Sequence, residues 1–541
     1  MKTLLVNFSE SIPNLSKRIK FDLYYQIGVL NIDPIGKISV NNQKRLNQIA
    51  EIELKKYSNW IYKINKLFLK KNLILNKNLS LFFLTDLSNK RSELFDTFNN
   101  VCNILLIKEI IKEKKISKII LNEAEEGFIQ SINSLLRINI IILKKRKNFK
   151  LIKYSLLTSV IKHLNLLLKY YFYRLLLYPT IRKSLNKNYK CNKIFFTRYP
   201  LHFLRGTTIE EKYTYLVGKK DKYITNLNAD GLHQSLGILK CFKSRLKIKN
   251  ENPSQHIVID DYINLKNIGK SFFDIFKFYK PFFILSNKKY IYKGIDISLS
   301  IKSEYGLSMQ RLLGLLLCHR GLDNLLKKIS ANKYIFYLNE YAFGRMISYT
   351  LHKNNIINTV GMQHGFASRR RLCLCLSSNE TPNNFSNYLN SVPLPKQFLV
   401  ENKNAKSIYE DFGHNNCKVM KKIPRLAYLK DIRKSKVGKN IYIIAGLHDF
   451  EMLIQFMKKI VNEQKKEIFY LKTHPRSMVN LNKYKFPNNL KITNRNITEL
   501  LLDAKLIYVS YSSVGLEARD LNIPVIQIEY PGKINELGIN D

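Results

Sequence analysis

The sequence predicts an α/β protein made of doubly wound domains, in which parallel strands alternate with helices. Short runs of Ile, Val, Leu, Phe and Tyr recur along the chain, and segments with helical periodicity separate them. The 541 residues exceed what one ordinary core accommodates, so two or three domains are expected. Because 45% of the residues are hydrophobic, the chain can bury cores of that size.

The first 148 residues are predicted to form a small α/β unit. Three apolar runs in it have the composition of buried parallel strands, and helical patterns separate them. These runs are residues 81–84, 118–121 and 139–143.

Residues 149–190 are predicted to form a helical connector that is both apolar and basic. Its centre, residues 151–178, is dense in Leu, Ile and Tyr, and the basic run 144–150 precedes it. Two interpretations remain open for this helix. It lies in the plane of a membrane, or it is an ordinary core helix between domains.

A second domain is predicted over residues 191–395, ending at the linker Pro393-Leu394-Pro395. Its apolar runs again read as strands. They are residues 193–197, 256–259, 333–338 and 356–362.

The third domain, residues 396–541, has the clearest pattern. A strand over 440–445 ends at a turn at Gly446, and Asp449 is a plausible N-cap for the following helix. The apolar positions of that helix fall on one face. They are Phe450, Leu453, Ile454, Met457 and Val461. Further strands are predicted at 468–472, 506–509 and 524–528, with helices after the capping box at Asn496 and over 514–521.

The chain is strongly basic. It has 90 Lys+Arg against 41 Asp+Glu, a formal charge of +49, which attracts phosphorylated small molecules, anionic lipid or nucleic acid. Nucleic acid is not the expected partner, because no RNA-binding aromatic signature accompanies the charge. The charge therefore indicates a class of partner and no reaction.

Several common kinds of site are excluded by their motifs. The dinucleotide, P-loop and zincin fingerprints are absent, as is Asp-x-Asp, so neither a cofactor nor a metal is expected. The 7 cysteines include no C-x-x-C pair, and residues 1–6 begin like a signal peptide that Asn7 cuts short. No uncharged apolar run approaches the length of a membrane span. A cytoplasmic location is therefore predicted.

Polar residues follow two strands of the third domain, at the edge where such sheets bind ligands. Lys472-Thr473-His474-Pro475-Arg476 ends one strand, and Ser510-Tyr511-Ser512-Ser513 joins another to a helix containing Glu517. The mouth of a helix favours phosphate. The pattern predicts a nucleotide or nucleotide-sugar site. Its candidate residues are His474, Pro475, Arg476, Ser512, Ser513, Glu517 and Gly446.

The C-terminal third resembles the donor-binding half of GT-B glycosyltransferases. The resemblance rests on the order of its elements, which is strand, His-Pro, strand, Ser-Ser, helix with Glu517 and then Pro524-Val525-Ile526. This part of the chain is most similar to bacterial enzymes of the sialyltransferase and Kdo-transferase type, where these elements hold the nucleotide of a CMP-sugar. Upstream segments resemble surface-carbohydrate biosynthesis proteins of capsule and O-antigen type over roughly residues 190–541. They are Thr197-Arg198-Tyr199-Pro200, Tyr337-Leu338-Asn339-Glu340, Gly361-Met362-Gln363-His364-Gly365 and Ile423-Pro424-Arg425-Leu426.

The resemblance implies a GT-B-like pair of Rossmann-like domains behind the first α/β unit. It also implies transfer of a sugar, with a CMP-sugar as one donor candidate, to a surface polysaccharide or a polyprenyl-linked glycan. The enzyme would then work at the inner face of the plasma membrane, where the basic run 144–150 binds anionic lipid.

Glu340 and His364 each follow a strand of the second domain, so both are expected at one crevice. Transfer to a hydroxyl needs a base, and an imidazole or carboxylate within hydrogen-bond reach supplies it. His364 is the first choice for this base, with Glu340 as its orienter or substitute.

Two other functions remain open. A nucleotide-sugar epimerase uses a similar cleft without a polymer acceptor. A basic scaffold or nucleic-acid-binding protein would show strongly salt-dependent RNA binding and no affinity for nucleotide sugars.

Overall fold

Three parallel β-sheets organise the protein, and each contains the strand order 3-2-1-4-5 when strands are counted within the sheet. The computed structural model describes most of the chain. The described residues are 2–11, 20–31, 36–146, 155–199, 210, 212–213, 216–227, 237–251, 255–337, 339–382, 385–423, 426, 429, 432, 438–474, 477 and 479–539. The doubly wound α/β class predicted from the sequence is confirmed by this strand order.

The first unit contains a five-stranded parallel sheet and a small antiparallel hairpin. Its strands are β1 (Lys2–Asn7), β2 (Leu23–Gln26), β3 (Ile38–Ser39), β4 (Ile74–Leu75), β5 (Leu79–Ser80), β6 (Ile116–Glu125) and β7 (Asn139–Arg146). Its helices are α1 (Gln43–Tyr62), α2 (Asn65–Lys70), α3 (Asp86–Asn89), α4 (Thr97–Lys114) and α5 (Glu126–Leu135). The order of the large sheet is β3-β2-β1-β6-β7.

The central unit contains a seven-stranded parallel sheet and a second hairpin. Its strands are β8 (Tyr189–Arg198), β9 (Lys222–Asn226), β10 (His256–Val258), β11 (Ile291–Tyr292), β12 (Ile295–Asp296), β13 (Ile329–Phe336), β14 (Thr359–Met362), β15 (Gln397–Val400) and β16 (Cys417–Val419). Its helices are α6 (Leu156–Leu176), α7 (Tyr178–Leu185), α8 (Ile238–Glu251), α9 (Leu265–Ser286), α10 (Ser298–Leu326), α11 (Ala342–Lys353) and α12 (Lys403–Asp411). The order of the large sheet is β10-β9-β8-β13-β14-β15-β16.

The C-terminal unit has a five-stranded parallel sheet of order β19-β18-β17-β20-β21. Its strands are β17 (Asn440–Ile444), β18 (Phe469–Lys472), β19 (Leu490–Ile492), β20 (Ala504–Val509) and β21 (Val525–Gln527). Its helices are α13 (Phe450–Glu463), α14 (Ile497–Asp503) and α15 (Val514–Asp520). Short 3-10 helices in the three units cover Leu81–Leu84, Ile259–Tyr262, Leu372–Leu374 and Leu481–Lys483.

The amphipathic pattern of the C-terminal unit is the clearest match between sequence and structure. The five residues predicted to form one face of α13 are its buried residues. Asn496 caps α14 by accepting from the N–H of Glu499 at 2.9 Å. Asn522, just beyond α15, has a φ of 57°, a left-handed conformation that asparagine tolerates.

Three sequence-based expectations differ from the structure. Residues 81–84 form a buried 3-10 helix and no strand, because a short apolar run without periodicity does not reveal its type. β15 and β16 belong to the central sheet, so that unit extends past the predicted boundary at residue 395. No strand was predicted at the start of the chain, where residues 2–7 form β1, the middle strand of the first sheet.

One hydrophobic core runs through the first and central units. Helix α10 is buried along most of its length, and it contacts α3 and α5 of the first unit as well as α6, α9 and α11. A buried ion pair between Arg311 and Asp86 joins the two units at this helix. The first unit is therefore not an independent domain, because it shares one hydrophobic core with the central unit.

The C-terminal unit has hydrophobic clusters on both faces of its sheet. Residues of α13 lie in one cluster, and residues of α14 and α15 lie in the other. This two-sided burial is what a doubly wound domain requires.

Residues 528–539, which we call the crossing segment, extend from the C-terminal sheet to the first unit. The side-chain amides of Asn99 and Asn103 both donate to the carbonyl of Gly532, at 3.0 and 2.9 Å. Gly532 has a φ of 66°, and a Cβ there would lie 2.9 Å from a backbone oxygen of the first unit. The close approach therefore requires glycine.

None of the helices in the described parts of the chain combines the length and hydropathy needed to cross a membrane.

A buried ion pair leads to a prediction about stability. The ammonium of Lys90 donates to Ser58 Oγ at 2.7 Å, to the carbonyl of Cys375 at 2.6 Å and to Glu380 at 3.2 Å. Both charged side chains are 1% exposed. Lys90→Met should lower the free energy of unfolding by about 3–5 kcal/mol, because it leaves a buried carboxylate without its cation. Urea unfolding followed by circular dichroism measures this loss.

The control for this variant is Lys353→Met, since the pair Lys353–Asp323 is 34% and 26% exposed. This change should lower the free energy of unfolding by less than about 1 kcal/mol. The double variant Lys90→Met/Glu380→Gln should recover part of the stability. Equal losses for the buried and the exposed pair would contradict the prediction.

Candidate functional site

Most of the predicted binding residues lie at the carboxyl ends of three adjacent strands, β18, β17 and β20. His474 follows β18, Gly446 follows β17, and residues 510–513 follow β20. The N–H of Ala445 donates to the carbonyl of Lys472 at 3.0 Å, which extends the pairing of β17 and β18 toward this edge. The reversal of strand order lies between β17 and β20, where open α/β sheets bind ligands.

Gly446 lies at the centre of this edge, in contact with the loop after β20. A Cβ on Gly446 would lie 2.6 Å from Asp449 Oδ1 and 3.5 Å from the carbonyl carbon of Tyr511. The hydroxyl of Ser510 donates to the carboxylate of Asp449 across the same gap. A larger residue at 446 would therefore displace the carboxylate of Asp449 from its place beside Ser510.

Asp449 has a role that sequence reasoning missed. It occupies the N-cap position of α13, as predicted, but its side chain makes no capping bond and contacts Ser510. Asp449 is 3% exposed, and this burial raises the pKa of its carboxyl to about 6. A protonatable group therefore lies at the point where the strand order reverses.

The turn after β20 presents hydroxyl groups and one buried carboxylate. Ser512 Oγ accepts from the N–H of Val514 at 3.4 Å, and Ser513 Oγ donates to Glu517 Oε1 at 3.4 Å. Glu517 is 6% exposed in the first turn of α15. α15 has 7 residues, close to the helix predicted over 514–521.

His474 lies two residues beyond β18 and is partly exposed. Its carbonyl accepts from the N–H of Ser477 at 2.8 Å, which turns the chain just after the strand. Pro475 and Arg476, also predicted binding residues, lie outside the described residues.

A second polar region lies at the carboxyl end of the central sheet, around a small cavity that is partly open to solvent. The ring of His364 stacks on that of Tyr337 with centroids 5.6 Å apart. The cavity is lined by Lys212, Tyr337, Met362, Gln363, His364, Gly365, Glu401, Met420 and Ile423. His364, the predicted base, therefore lines a small cavity together with other polar residues.

Glu340 does not line this cavity with His364, contrary to the expectation that both face one crevice. It is 4% exposed, and burial raises the pKa of its carboxyl while Arg371 opposes that rise. The carboxylate that does line the cavity is Glu401, which follows β15. Its N–H donates to the side chain of Gln363 at 2.9 Å. This bond connects Glu401 to residues 363–371, which follow β14 and which we call the His364 loop.

Three glutamates from three parts of the chain are electrostatically linked to Arg371. They are Glu93, Glu340 and Glu536. Burial opposes ionisation of Glu93, but the charges of Arg91 and Arg371 outweigh it and lower its pKa to about 2. Burial raises the pKa of Glu536 to about 7. Neighbouring carboxyls with pKa values this far apart are typical of functional sites.

The three arginines of the basic run Arg369-Arg370-Arg371 have different environments. Arg369 is 56% exposed and pairs with Asp411. Arg370 is buried, and Arg371 donates to the carbonyl of Phe366 at 2.7 Å. Only the first of the three arginines is exposed to solvent.

A chain of hydrogen bonds connects the His364 loop to the edge of the C-terminal sheet. Arg370 donates to the carbonyl of Asn535 at 2.7 Å, and the Asn535 side chain accepts from Gln527 at 2.5 Å. Gln527 also donates to the carbonyl of Ser510 at 3.4 Å. Phe366, two residues after His364, packs against the hydrophobic cluster of α14 and α15. The two strand-end regions therefore adjoin each other.

In the described residues, no group of three or more His, Cys, Asp or Glu side chains is arranged to hold a metal ion. The polar groups available to a ligand are hydroxyls, imidazoles, carboxylates and guanidinium groups.

Comparisons with known proteins give distant likenesses. No protein-family model and no curated protein matches the chain. The chain is similar to the solved structure of UDP-N-acetylglucosamine 2-epimerase from Rickettsia bellii, with 12% identity and a TM-score of 0.34, over 63% of this chain and 79% of that one. It is also similar to UDP-GlcNAc 2-epimerase from Methanocaldococcus jannaschii, with 13% identity and a TM-score of 0.29, over 62% and 83% of the two chains. At these TM-scores the fold class rests on the strand orders described above.

The buried carboxyl of Asp449 leads to a prediction about pH. Its folded-state pKa of about 6 lies above the unfolded value of about 3.9. Between these two pH values the carboxyl is protonated in the folded protein and ionised in the unfolded chain. Its stabilising contribution is complete below about pH 4 and is lost as the pH rises to about 6. Asp449→Asn keeps an acceptor for Ser510 and removes the charge. This variant should be more stable than the parent by about 2 kcal/mol at pH 7 and nearly equal to it near pH 4.

Thermal melting of both proteins across this pH range measures the difference. Glu451→Gln, in the first turn of the same helix, removes a charge without the burial and serves as the control. A stability difference that does not change with pH would contradict the assignment.

Proposed function

We propose that this protein is a glycosyltransferase that moves a sugar from a nucleotide-sugar donor to a glycan or polyprenyl-linked acceptor. The observation that carries the proposal is the adjacency of two polar strand-end regions, joined through Arg370, Asn535 and Gln527. One region offers groups suited to a nucleotide phosphate, and the other offers a base beside a cavity. Transfer between two substrates needs both.

The donor is assigned to the C-terminal edge around Gly446. Gly446 follows the middle strand of the three, and Ser512 and Ser513 on one side and His474 on the other follow the neighbouring strands. The carboxylate of Glu517 is suited to ribose or sugar hydroxyls. When the glycosidic bond breaks, negative charge develops on the nucleotide phosphate, and fixed donors with a protonated imidazole stabilise it. Pro475 and Arg476 remain proposed members of this site.

The acceptor is assigned to the cavity beside His364. The acceptor hydroxyl must lose a proton as its oxygen attacks the anomeric carbon, and the imidazole of His364 takes that proton. The stack on Tyr337 limits rotation of the ring. Glu401, which lines the same cavity, is placed to assist, and Glu340 is assigned a positioning role through Arg371.

A polyprenyl-linked acceptor would lie in a membrane, so we propose that the protein is peripherally associated with an anionic bilayer. The basic run 144–150 supports this in part. Lys144, Lys145 and Arg146 are exposed at the end of β7, and residues 147–150 lie outside the described residues.

The first test concerns the donor. A thermal-shift screen with CMP-, UDP-, GDP- and dTDP-sugars should identify one nucleotide that raises the melting temperature, because a ligand of the folded state stabilises it. Titration of that nucleotide should give affinities at least about tenfold weaker for His474→Ala and for Ser512→Ala/Ser513→Ala, since each loses hydrogen bonds to a charged group.

Ser117→Ala, in the first unit, is the matched control and should bind like the parent. If no nucleotide shifts the melting temperature, or both site variants keep the parent affinity, the donor site is wrong and the glycosyltransferase proposal fails with it.

The second test concerns proton transfer. His364→Ala should reduce turnover by roughly 10²–10⁴-fold while nucleotide affinity stays unchanged, because only the acceptor's proton transfer is affected. Glu401→Gln should reduce turnover less. Met420→Leu changes a lining residue that cannot accept a proton and is the control.

The assay is run with and without a lipid-linked acceptor. Conversion of the free nucleotide sugar without acceptor would identify an epimerase and reject transfer. Parent-level turnover of both His364→Ala and Glu401→Gln would reject this base assignment.

A further inference from the structure

Helix α6 buries several polar side chains and exposes a broad stripe of apolar ones. Ser159, His163 and Lys169 are each at most 4% exposed. A helix on the surface of a globular protein normally buries its apolar stripe and exposes its polar one. The exposed side chains on α6 include Leu157, Val160, Ile161, Leu164, Leu168, Tyr171, Phe172, Leu175 and Leu176.

Specific hydrogen bonds fix this orientation. His163 Nε2 contacts the carbonyl of Met309 on α10 at 2.9 Å. The hydroxyls of Tyr170 and Tyr173 donate to Asp260 and Asp261 at 2.8 and 2.6 Å. Turning α6 about its axis to bury the leucines would break these buried bonds, so the apolar stripe is held outward.

Helix α9 continues the same surface. His163 Nδ1 lies 2.8 Å from the hydroxyl of Tyr279 on α9, and both helices pack on α10. Their sides away from α10 therefore form one surface. On α9 this side exposes Phe273, Phe276, Phe283 and Ile284. We call these residues, with the exposed residues of α6, the α6–α9 face.

The charges around this face have one sign. The sequence of α6 contains no Asp or Glu, and the one acid of α9, Asp274, pairs with Arg320 and lies 3.9 Å from the ammonium of Lys277. Four lysines are exposed on α9, two before its aromatic residues and two among them. They are Lys266, Lys270, Lys277 and Lys280.

We propose that the α6–α9 face docks in the plane of a bilayer that contains anionic phospholipid. Exposed Leu and Phe with interleaved Lys is the composition of helices that lie in the membrane interface. A second copy of the chain fits less well, because a two-fold contact would place these lysines opposite each other without carboxylates to neutralise them. α6 has 21 residues and is roughly 30 Å long, so an extended strip of surface would enter the headgroup region.

An anionic bilayer is also where a polyprenyl-linked acceptor would lie. Only this link to the acceptor rests on the proposed function. The surface itself is defined by exposure and charge. The vesicle-binding experiment therefore uses neither nucleotide nor acceptor.

The test is flotation of the full chain with vesicles of phosphatidylcholine alone and of phosphatidylcholine with phosphatidylglycerol. The parent should bind the anionic vesicles and lose binding in high salt, because screening weakens lysine–lipid attraction. Leu164→Gln/Leu168→Gln/Leu175→Gln should weaken binding by about tenfold or more through lost apolar burial. Lys270→Gln/Lys277→Gln/Lys280→Gln should weaken it by roughly a hundredfold, at about fivefold per lysine.

The matched control is Ile492→Gln/Leu502→Gln/Ile526→Gln, which removes three exposed apolar side chains from the C-terminal unit. It should bind vesicles like the parent. All the changed residues are exposed, and thermal melting verifies that the variants fold.

Three results would overturn the inference. The first is that the parent does not bind vesicles, and the second is that the face variants bind them as well as the control does. The third is that the parent forms a dimer, does not bind vesicles, and dissociates when the three leucines are changed. The last result would assign the face to a second copy. Nucleotide titration of the same variants separates this outcome from failure of the proposed function, because the donor site is remote from the changed residues.

Discussion

The arrangement of the two polar regions depends on the hydrogen bonds that hold the crossing segment against the first unit. Asn99 and Asn103 converge on the carbonyl of Gly532, and Asn47 accepts from the N–H of Asn535 at 3.0 Å. Buried amides of this kind must be paired, so they specify one position for the backbone that they contact. The C-terminal sheet is held to the first unit by this segment, and the same segment contacts the His364 loop through Arg370.

The fold was predictable where a pattern is local. The face of α13 and the cap at Asn496 follow from spacing within one turn or a few turns of helix, and both agree with the structure. The errors arose where local pattern is ambiguous. A fully buried run such as residues 81–84 has no periodicity, and Pro393 and Pro395 indicated a domain boundary although two further strands join the same sheet.

The site was predictable only where the sheet topology itself determines position. Residues that follow adjacent parallel strands lie at one edge of the sheet, which is why the positions of Gly446, His474 and the two serines could be predicted. Asp449 and Glu401 also follow strands, but Asp449 was interpreted as a helix cap, and no strand was predicted before Glu401. No sequence pattern indicated that Glu93 and Glu536 lie near Arg371, because residues from distant parts of the chain become electrostatic partners only after folding.

The core shared by the first and central units has a consequence for how the molecule unfolds. Because α10 packs against helices of both units, neither can lose its structure without exposing apolar surface of the other. Calorimetry would then find these two sheets melting together as one cooperative block, with the C-terminal sheet and its own clusters as the separable part. A fragment cut between residues 146 and 189 would divide a single core, and neither half would be a domain in the thermodynamic sense.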